Sequence, residues 1–351
     1  MLVEDIGENH LIEILTDVLR NHPDDGAGFD PSVGMRVGIG DDAAVWDSVA
    51  ATTALTTDAL VDGVHFDSAS SAWRDVGWKA MAASMSDVAA MGCTPSYSTV
   101  TLGLRGDLSV ESLKDLYRGM RDACRVYGGV IVGGDTVRSS VVFISVTMLG
   151  TRQSTLGMEH KPQKIMTRDS AKPGDKIGVT GYLGCATGGL RHIFELRDGS
   201  DHRLDEAIST HLNVAQNLPS PRVEEGVKLV EMGVRAAMDL SDGLVEDLGK
   251  LCRASGVGAQ VELDSVPVDR FLKAAFPREW LHLALFGGED YEILLTAPKV
   301  VMDKVSLELP GLVTVVGNVV NEPVAVNFID PNGNVVEVGS RGWGHFYKSD
   351  N

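Results

Sequence analysis

Aspartates that stand beside glycine or small hydroxyl residues recur along this sequence, and they are the side chains best suited to chemistry. They occur in both halves of the chain, at Asp42, Asp58, Asp87, Asp135, Asp239 and Asp242. Asp87 follows Ser86 inside an otherwise apolar stretch, where an uncompensated carboxylate would be costly. A single aspartate of this kind is more often a cap or a hydrogen-bonded residue than a ligand. Six of them, spread over both halves, favour a shared role.

Carboxylate and hydroxyl oxygens are the ligands that hard divalent cations such as Mg²⁺ prefer, and the set lacks the His and Cys that would favour zinc. Several magnesium ions would suit a polyphosphate, whose own charge these carboxylates would otherwise repel. The neighbouring glycines would let backbone N–H groups approach phosphate closely. The P-loop, Rossmann and protein-kinase patterns are all absent from the sequence. We therefore expect a metal and polyphosphate site of a different design.

The elements expected to position these side chains alternate between strands and helices in the first half. A strand is predicted at 54–57, where it ends at Asp58, and helices are predicted at 73–91 and 110–127. The β-branched run 130–132 predicts another strand, which the following Gly-Gly-Asp motif interrupts. The aspartates are therefore expected at strand ends.

The second half begins after a polar segment at 151–172, which is the best candidate for a domain boundary. The 201–221 segment is also polar and is expected to be partly exposed. A short strand predicted at 234–237 leads into the motif Asp239-Leu240-Ser241-Asp242-Gly243 and a helix. Asn332-Gly333 predicts a hairpin turn near the end of the chain.

A chain of 351 residues is too long for one ordinary hydrophobic core and fits two domains. We expect an α/β domain at 1–150 and an α+β domain at 151–351. A hydrophobic content of 44% is sufficient for globular packing. The formal net charge of -18 argues against nucleic-acid binding, which depends on Lys and Arg.

Nothing in the sequence predicts export or a membrane partner. No apolar run approaches the roughly 18 residues that a membrane span needs, and the first residues lack the basic start and apolar stretch of a secretory signal. The cysteines Cys93, Cys124, Cys185 and Cys252 are scattered without a CxxC pair, so we expect free thiols rather than disulfides or a zinc site. We therefore expect a cytoplasmic protein.

Read together, these motifs resemble the ATP-binding superfamily that contains aminoimidazole-ribonucleotide synthetase, selenophosphate synthetase and thiamine-monophosphate kinase, and the specific pattern looks like the last family. The similar segments lie in order between about residue 38 and residue 346, so they cover nearly the whole chain. They read GIGDDAA from Gly38, TTDALVDGVHF from Thr56, SDVAAMG from Ser86, GGDT from Gly133, KPGD from Lys172, MDLSDGL from Met238 and GGEDYE from Gly287.

The resemblance implies a two-domain fold like that of aminoimidazole-ribonucleotide synthetase, in which the N-terminal α/β domain binds ATP and Mg²⁺ and forms a homodimer. It implies that the γ-phosphoryl group of ATP passes directly to thiamine monophosphate. The implied metal ligands are Asp42, Thr56, Thr57, Asp58, Asp87, Asp135, Asp239 and Asp242, and Asp42, Asp58, Asp87 and Asp135 would act in catalysis through the metal. The implied ATP contacts are Gly134, Asp135, Arg168, Ser241 and Tyr117, and the implied thiamine contacts are His65, Glu289 and Trp343.

Two departures and two alternatives accompany this resemblance. Gly344 stands where the family often has an acidic residue, and the polar stretch 153–164 is longer than usual. The resemblance therefore does not define the detailed shape of the substrate pocket near these residues. Another enzyme of the superfamily, such as one like aminoimidazole-ribonucleotide synthetase, would also carry such aspartates. A non-catalytic protein that binds divalent metal would take up Mg²⁺ without turning over nucleotide.

Overall fold

In the computed structural model, the described residues are 35–37, 44–47, 51–153, 163–199, 203–322 and 325–338. They form two β-sheets flanked by helices, one sheet from each half of the chain. Two of the predicted site residues, Asp42 and Trp343, lie outside the described residues, as do Gly344 and most of the 153–164 stretch.

A six-stranded sheet forms the N-terminal half, in the order β1-β2-β3-β6-β4-β5. Its strands are β1 (Met35–Val37), β2 (Ala44–Asp47), β3 (Ala51–Val61), β4 (Thr94–Leu104), β5 (Val130–Arg138) and β6 (Phe143–Gln153). Only β4 and β5 pair in parallel among these strands. Helix α1 (Trp73–Ala90) packs against β3 and β6, and α2 (Val110–Tyr127), which connects β4 to β5, packs against α1.

Two of the predicted strand ends are wrong. β3 continues past Asp58 to Val61, because all eleven of its residues pair with β6. β5 runs through the Gly-Gly-Asp motif, which pairs with β4. Gly134 fits there because a Cβ atom at this position would lie 2.0 Å from the carbonyl oxygen of Val100. The glycine therefore allows a close approach of the strands, and Asp58 and Asp135 both lie within strands rather than at their ends.

Helix α1 contacts elements of both halves of the chain, and its predicted bounds of 73–91 agree with the structure to within one residue. Thirteen of its eighteen residues are buried, so neighbours cover it on more than one side. It contacts the N-terminal sheet and also the helix Val223–Met232 of the C-terminal half. A Cβ atom at Gly226 of that helix would lie 2.1 Å from the carbonyl oxygen of Ala89. Direct packing of helix on helix therefore joins the two halves.

A seven-stranded sheet forms the C-terminal half, in the order β13-β12-β9-β11-β7-β10-β8. Its strands are β7 (Lys176–Thr180), β8 (Ala236–Leu240), β9 (Gly258–Glu262), β10 (Glu292–Ala297), β11 (Val313–Val320), β12 (Val326–Ile329) and β13 (Val335–Val336). The helices of this half are α3 (Cys185–Arg197), α4 (Glu206–Asn217), α5 (Val223–Met232), α6 (Leu244–Ser255), α7 (Arg270–Ala275), α8 (Trp280–Phe286) and α9 (Lys299–Glu308).

The mixed architecture of an α/β part followed by an α+β part is confirmed, while the division at residue 150 stays a prediction. The hairpin turn at Asn332-Gly333 is confirmed between β12 and β13, where Gly333 has a φ of 83°. The polar 201–221 segment contains α4, whose Gln216 is buried, so this segment contributes more to the interior than its polarity indicated. None of the helices in the described ranges is long and apolar enough to cross a membrane.

Candidate active site

A cavity of about 400 Å³ lies where the two halves meet, and residues from both line it. The N-terminal half contributes the end of β3, the loop after it and one side of α1, and the C-terminal half contributes α3, the end of β8 and the loop before β10. Its side chains with oxygen or nitrogen atoms are Thr57, Asp58, His65, Asp87, Thr187, Asp239, Ser241, Asp242, Glu289 and Tyr291. Eight of these ten, all but Thr187 and Tyr291, are site residues predicted from the sequence, so the fold brings them together.

The open edge of β3 presents Asp58 to the cavity. β2 pairs only with the first part of β3, so no described strand pairs with residues 56–61 on that side. Asp58 Oδ2 accepts a hydrogen bond of 2.7 Å from Ser84 Oγ of α1. Thr56 lies within the sheet, and its hydroxyl donates to Asp87 Oδ2 of α1. Each hydroxyl engages one carboxylate oxygen and so orients the carboxylate at the cavity wall.

Asp239 approaches Asp58 from the C-terminal half. It lies next to the last residue of β8, and its Oδ2 accepts a hydrogen bond of 2.9 Å from Ser86 Oγ of α1. The pKa of Asp58 is raised to about 6, chiefly by burial and also by the charge of Asp239, while the Ser84 hydrogen bond opposes this. Burial also raises the pKa of Asp239, while the Ser86 hydroxyl and the Arg168 guanidinium lower it. The two carboxylates therefore concentrate negative charge that the protein only partly neutralises.

The loop after β8 is fixed by a buried aspartate that was not among the predicted site residues. Asp247 of α6 accepts hydrogen bonds from the backbone N–H groups of Ser241 at 3.0 Å and Asp242 at 2.9 Å. Lys250, one turn further along α6, forms ion pairs with both Asp247 and Asp242. Burial raises the pKa of Asp247 to about 7, although the charge of Lys250 lowers it. The sequence did contain a signal for Asp247: it is an acidic residue in a helix whose other buried positions are uncharged.

The loop before β10 carries Glu289 in an unusual backbone conformation. Glu289 and Tyr291 are the non-glycine residues with positive φ in the described part of the chain, at 66° and 51°. Their N–H groups donate to the carbonyl oxygens of Ser241 and Leu240, both at 2.9 Å. Gly288 allows this approach, because a Cβ atom there would lie 2.2 Å from the Ser241 carbonyl oxygen. The strained loop is held against the end of β8, which fixes Glu289 at the cavity.

Glu289 is also tied to the N-terminal half by a buried lysine. Lys79 of α1, with 2% of its side chain exposed, donates from Nζ to Glu289 Oε2 and to the carbonyl oxygen of His65, both at 3.0 Å. Gln216 Nε2 donates to the same Glu289 oxygen at 3.0 Å. His65 accepts a hydrogen bond of 3.1 Å at Nδ1 from the backbone N–H of Val61. Neither Lys79 nor Gln216 was predicted from the sequence to have a role, although a lysine in an otherwise apolar helix was a visible signal.

Comparison with known proteins identifies the family. Residues 40–152 match the family model for the N-terminal domain of AIR synthase related proteins, and residues 172–328 match the model for the C-terminal domain. A thiamine-monophosphate kinase of Aquifex aeolicus is 32% identical over 302 residues, which cover 85% of this chain and 88% of the relative. The thiamine-monophosphate kinase of Escherichia coli K12 is 34% identical over 326 residues, which cover 89% and 92%. This chain belongs to the thiamine-monophosphate kinase family.

Solved structures of thiamine-monophosphate kinases share the fold. One described as AaThiL complexed with AMPPCP and TMP is 31% identical, has a TM-score of 0.80 and covers 98% of this chain and 99% of its own. A structure of the thiamine monophosphate kinase from Aquifex aeolicus is 30% identical, has a TM-score of 0.75 and covers 96% and 100%. The predicted family and the predicted fold are therefore confirmed.

Five of the described residues predicted for a thiamine-monophosphate kinase site do not line the cavity: Thr56, Tyr117, Gly134, Asp135 and Arg168. Asp135 is exposed on β5, and β6 and β4 separate β5 from β3. Three strand spacings place it about 14 Å from β3. Gly134 lies beside it, and Tyr117 is exposed on α2. Arg168 does not line the cavity, but its charge acts on Asp239. The roles of these residues stay predictions.

The carboxylate oxygens at the cavity suit a magnesium ion that is bound together with phosphate. Within the described residues, no three His, Cys, Asp or Glu side chains are grouped closely enough to hold a metal ion by themselves. Mg²⁺ is commonly bound by one or two carboxylates, while waters and substrate phosphates complete its octahedron. Asp58, Asp87, Asp239 and Asp242 supply carboxylates from both halves, and the raised pKa values of Asp58 and Asp239 indicate charge that a cation would stabilise. The residues present therefore fit magnesium that arrives with a nucleotide.

Proposed function

We propose that this chain transfers the γ-phosphoryl group of ATP to thiamine monophosphate, giving thiamine diphosphate and ADP. The observation that carries the proposal is that four aspartates, Glu289 and His65 all line the same cavity. The aspartates suit a metal-bound polyphosphate, and the Glu289 carboxylate suits the amino group of the thiamine pyrimidine. Membership of the family and the likeness to a structure described as complexed with AMPPCP and TMP support the same reaction.

We propose that Mg²⁺ is the cofactor of this reaction. The carboxylates at the cavity are Asp58, Asp87, Asp239 and Asp242, and the further ligands predicted from the resemblance are Asp42, Thr56, Thr57 and Asp135. When bound, the ions would supply positive charge that neutralises the group in transfer. The serine hydroxyls on Asp58 and Asp239 support this role, because they orient each carboxylate before a ligand arrives.

The transfer needs little covalent chemistry from the protein. The acceptor oxygen belongs to a phosphate that is already ionised at neutral pH, so a general base is hardly required. This oxygen forms a bond to the γ-phosphorus as the bond to the β–γ bridging oxygen breaks, and the electron pair leaves with ADP. The contribution of the chain is positioning: the oriented aspartates align the phosphates, while His65 and Glu289 hold the thiamine side.

We propose that the protein works as a homodimer formed through the N-terminal sheet. β5 is an edge strand of nine residues, eight of which are exposed. Val130 and Val132 on this strand and Tyr97 on β4 are each more than half exposed. A long edge with exposed apolar side chains is normally covered by a partner. Such pairing is also a route by which Asp135 of one copy reaches the cavity of another.

We propose a cytoplasmic location. All four cysteines are free, and burial raises the pKa of each thiol, so none is activated for exchange. Free, unreactive thiols are typical of proteins from reducing compartments, where disulfides are rare. Fractionation of the cells that make the protein, followed by immunodetection, checks this location.

The experiment that tests the reaction supplies the purified protein with Mg²⁺, ATP and a panel of acceptors, and separates the products by chromatography. We expect thiamine diphosphate and ADP in equal amounts when thiamine monophosphate is present, and neither product after chelation of the metal. The panel includes thiamine and an unrelated sugar phosphate as controls. ADP that forms at the same rate without any acceptor would contradict the proposal and indicate an ATPase or another substrate.

A further inference from the structure

We infer that Lys79 and Gln216 are positioning residues that decide which atom of Glu289 meets the acceptor substrate, an inference that rests on the function proposed above. Glu289 Oε2 accepts hydrogen bonds from Lys79 Nζ and Gln216 Nε2, each at 3.0 Å. The amide of Gln216 must present its nitrogen here, because an ionised carboxylate only accepts. Two donors of the protein therefore engage this one oxygen.

The other oxygen of Glu289 has unused hydrogen-bonding capacity. Oε1 is buried and has no hydrogen-bond partner in the described structure. A buried acceptor without a partner is costly, and native proteins seldom keep one unless a ligand or a function requires it. Glu289 and His65 line the same cavity, so the carboxyl group that carries this oxygen borders the space in which a ligand would bind. One oxygen is thus used by the fold and the other is offered to a ligand.

Three constraints keep the two oxygens from exchanging their roles. The backbone of Glu289 is held at a positive φ by the hydrogen bond from its N–H to the Ser241 carbonyl. Lys79 is itself fixed by its second hydrogen bond, to the carbonyl oxygen of His65. Lys79 and Gln216 are 2% and 1% exposed, so neither donor can swing into solvent. The carboxylate is therefore presented in one orientation, by donors from both halves of the molecule.

This arrangement changes what Glu289 can recognise. A bare carboxylate attracts any cation, whereas a carboxylate paired with a buried ammonium offers one directed acceptor with little net charge. Such an acceptor selects an N–H donor rather than a positive charge. In thiamine monophosphate the matching group is the exocyclic amino group of the pyrimidine, since the thiazolium ring has no N–H. We expect the pair to favour aminopyrimidine substrates over analogues that present an acceptor at that position.

The test uses Gln216→Leu and Lys79→Met, with Lys299→Met as the matched control, because Lys299 forms an exposed pair with Asp303 away from the cavity. Steady-state kinetics give kcat and the KM values for thiamine monophosphate and ATP. A second substrate, the analogue whose pyrimidine amino group is replaced by a carbonyl oxygen, gives a discrimination ratio in kcat/KM. We expect each site variant to raise the KM for thiamine monophosphate roughly tenfold. The discrimination ratio should fall by a similar factor, with the KM for ATP and the control variant unchanged.

Thermal unfolding is recorded for each variant, because Lys79→Met leaves a buried carboxylate without its counter-charge. Gln216→Leu keeps the ion pair and carries the test on its own if Lys79→Met does not fold. Parallel rises in both KM values with an unchanged discrimination ratio would overturn the inference and indicate a purely structural role. A wild-type protein that makes no thiamine diphosphate would instead overturn the proposed function, so the two failures are distinguishable.

Discussion

At the scale of single residues, the cavity is built from carboxylates that neighbouring groups orient before any ligand binds. Serines of α1 donate to Asp58 and Asp239, and Lys250 pairs with Asp242. These contacts fix geometry but leave Asp58 and Asp239 with raised pKa values, since burial penalises their charge. A site of this kind is preorganised for a cation that arrives with its own anionic ligand.

Replacing Asp58 with Asn should lower phosphoryl transfer by at least about a hundredfold without unfolding the protein. The amide oxygen can still accept from Ser84, but it carries no charge for Mg²⁺. Because burial of the carboxylate is costly, the metal-free variant should unfold at the same temperature as the wild type or higher. Added Mg²⁺ and ATP should stabilise the variant less than the wild type in thermal-shift measurements.

The matched control for this substitution is Asp303→Asn, which removes a carboxylate from an exposed pair with Lys299 on α9. It should leave both turnover and the ligand-induced thermal shift unchanged, because exposed ion pairs contribute little. Turnover of the Asp58→Asn protein close to the wild-type value would contradict the assignment of Asp58 to the metal site.

Asp290 should make the stability of the protein depend on pH. Its Oδ2 accepts a hydrogen bond of 2.7 Å from the N–H of Gly184, just before α3. Burial raises the pKa of Asp290 from 3.8 to about 8, although the N–H groups of Gly184 and Ala186 oppose this. Because the folded pKa exceeds the unfolded value, the unfolded chain loses this proton first as the pH rises. The contribution of Asp290 to stability is therefore complete below about pH 4 and is lost progressively up to about pH 8.

The measurement is urea denaturation of the wild type and of Asp290→Asn at several values between about pH 5 and about pH 8. Asparagine does not titrate, so the difference in the free energy of unfolding isolates this one group. The wild-type value minus the variant value should fall steadily as the pH rises through this window. A difference that stays constant would show that the carboxyl group is ionised in the folded state throughout.

At the scale of elements, helices were predicted well and strand ends poorly, for a physical reason. The bounds of α1 and α2 follow from local periodicity, and both agree with the structure to within one residue. β3 and β5 were predicted to stop where aspartate or glycine disfavours a strand locally. Pairing with β6 and β4 overrides that preference, and such pairing depends on residues far away in the sequence.

The same contrast between local and long-range determinants holds for the residues of the candidate site. Aspartates beside small residues are a local pattern, so the sequence alone could select Asp58, Asp87 and Asp239. Their supporting contacts are not local: Lys79 and Glu289 are 210 positions apart. A single sequence carries no signal for the partner of a buried lysine, because the partner is fixed only by how the halves pack. Contacts of this kind, which hold the cavity together, needed the structure.

The packing of α5 on α1 should be sensitive to one methyl group. In Gly226→Ala, the added Cβ atom would lie 2.1 Å from the carbonyl oxygen of Ala89, a backbone atom that cannot rotate away. The gain in helix propensity is about 1 kcal/mol. Forcing the helices apart should cost more, so we expect a net destabilisation of about 1–3 kcal/mol in urea denaturation.

Gly106→Ala is the control for this change, because a Cβ atom at Gly106 would meet nothing within 4 Å. The control should leave the unfolding midpoint close to that of the wild type. The Gly226 variant should also lose turnover, since α1 carries the serines that orient Asp58 and Asp239. A Gly226→Ala protein as stable as the control would show that the two helices can separate freely.

At the scale of the whole molecule, the cavity exists only because the two halves dock. Besides the packing on α5, side chains of α1 form hydrogen bonds across this junction: Lys79 to Glu289, Ser86 to Asp239, and Trp78 Nε1 to the carbonyl oxygen of Pro219 at 2.8 Å. Substrate-side and phosphate-side groups are therefore held by the same helix. Any change that shifts α1 should affect both ends of the cavity together.

The proposed homodimer extends this dependence to a second copy. Asp58 and Asp135 are separated by β6 and β4 in one chain, at about 14 Å, so we expect Asp135 to serve the cavity of the partner. The Asp58→Asn and Asp135→Asn proteins should each form inactive dimers. A heterodimer of the two would have one intact site, with Asp58 from one chain and Asp135 from the other. Its second site would lack both carboxylates.

Equal amounts of the two variants, unfolded and refolded together, should therefore regain about a quarter of the wild-type activity, since about half of randomly paired dimers are mixed. Sedimentation velocity checks that every sample is dimeric. The matched control mixes Asp58→Asn with Asp239→Asn, whose carboxylates approach each other within one chain and cannot complement. That control should stay inactive. If the mixture of the Asp58 and Asp135 variants also stays inactive, Asp135 does not contribute to the cavity of the partner copy. The proposal that one copy supplies Asp135 to the other would then be wrong.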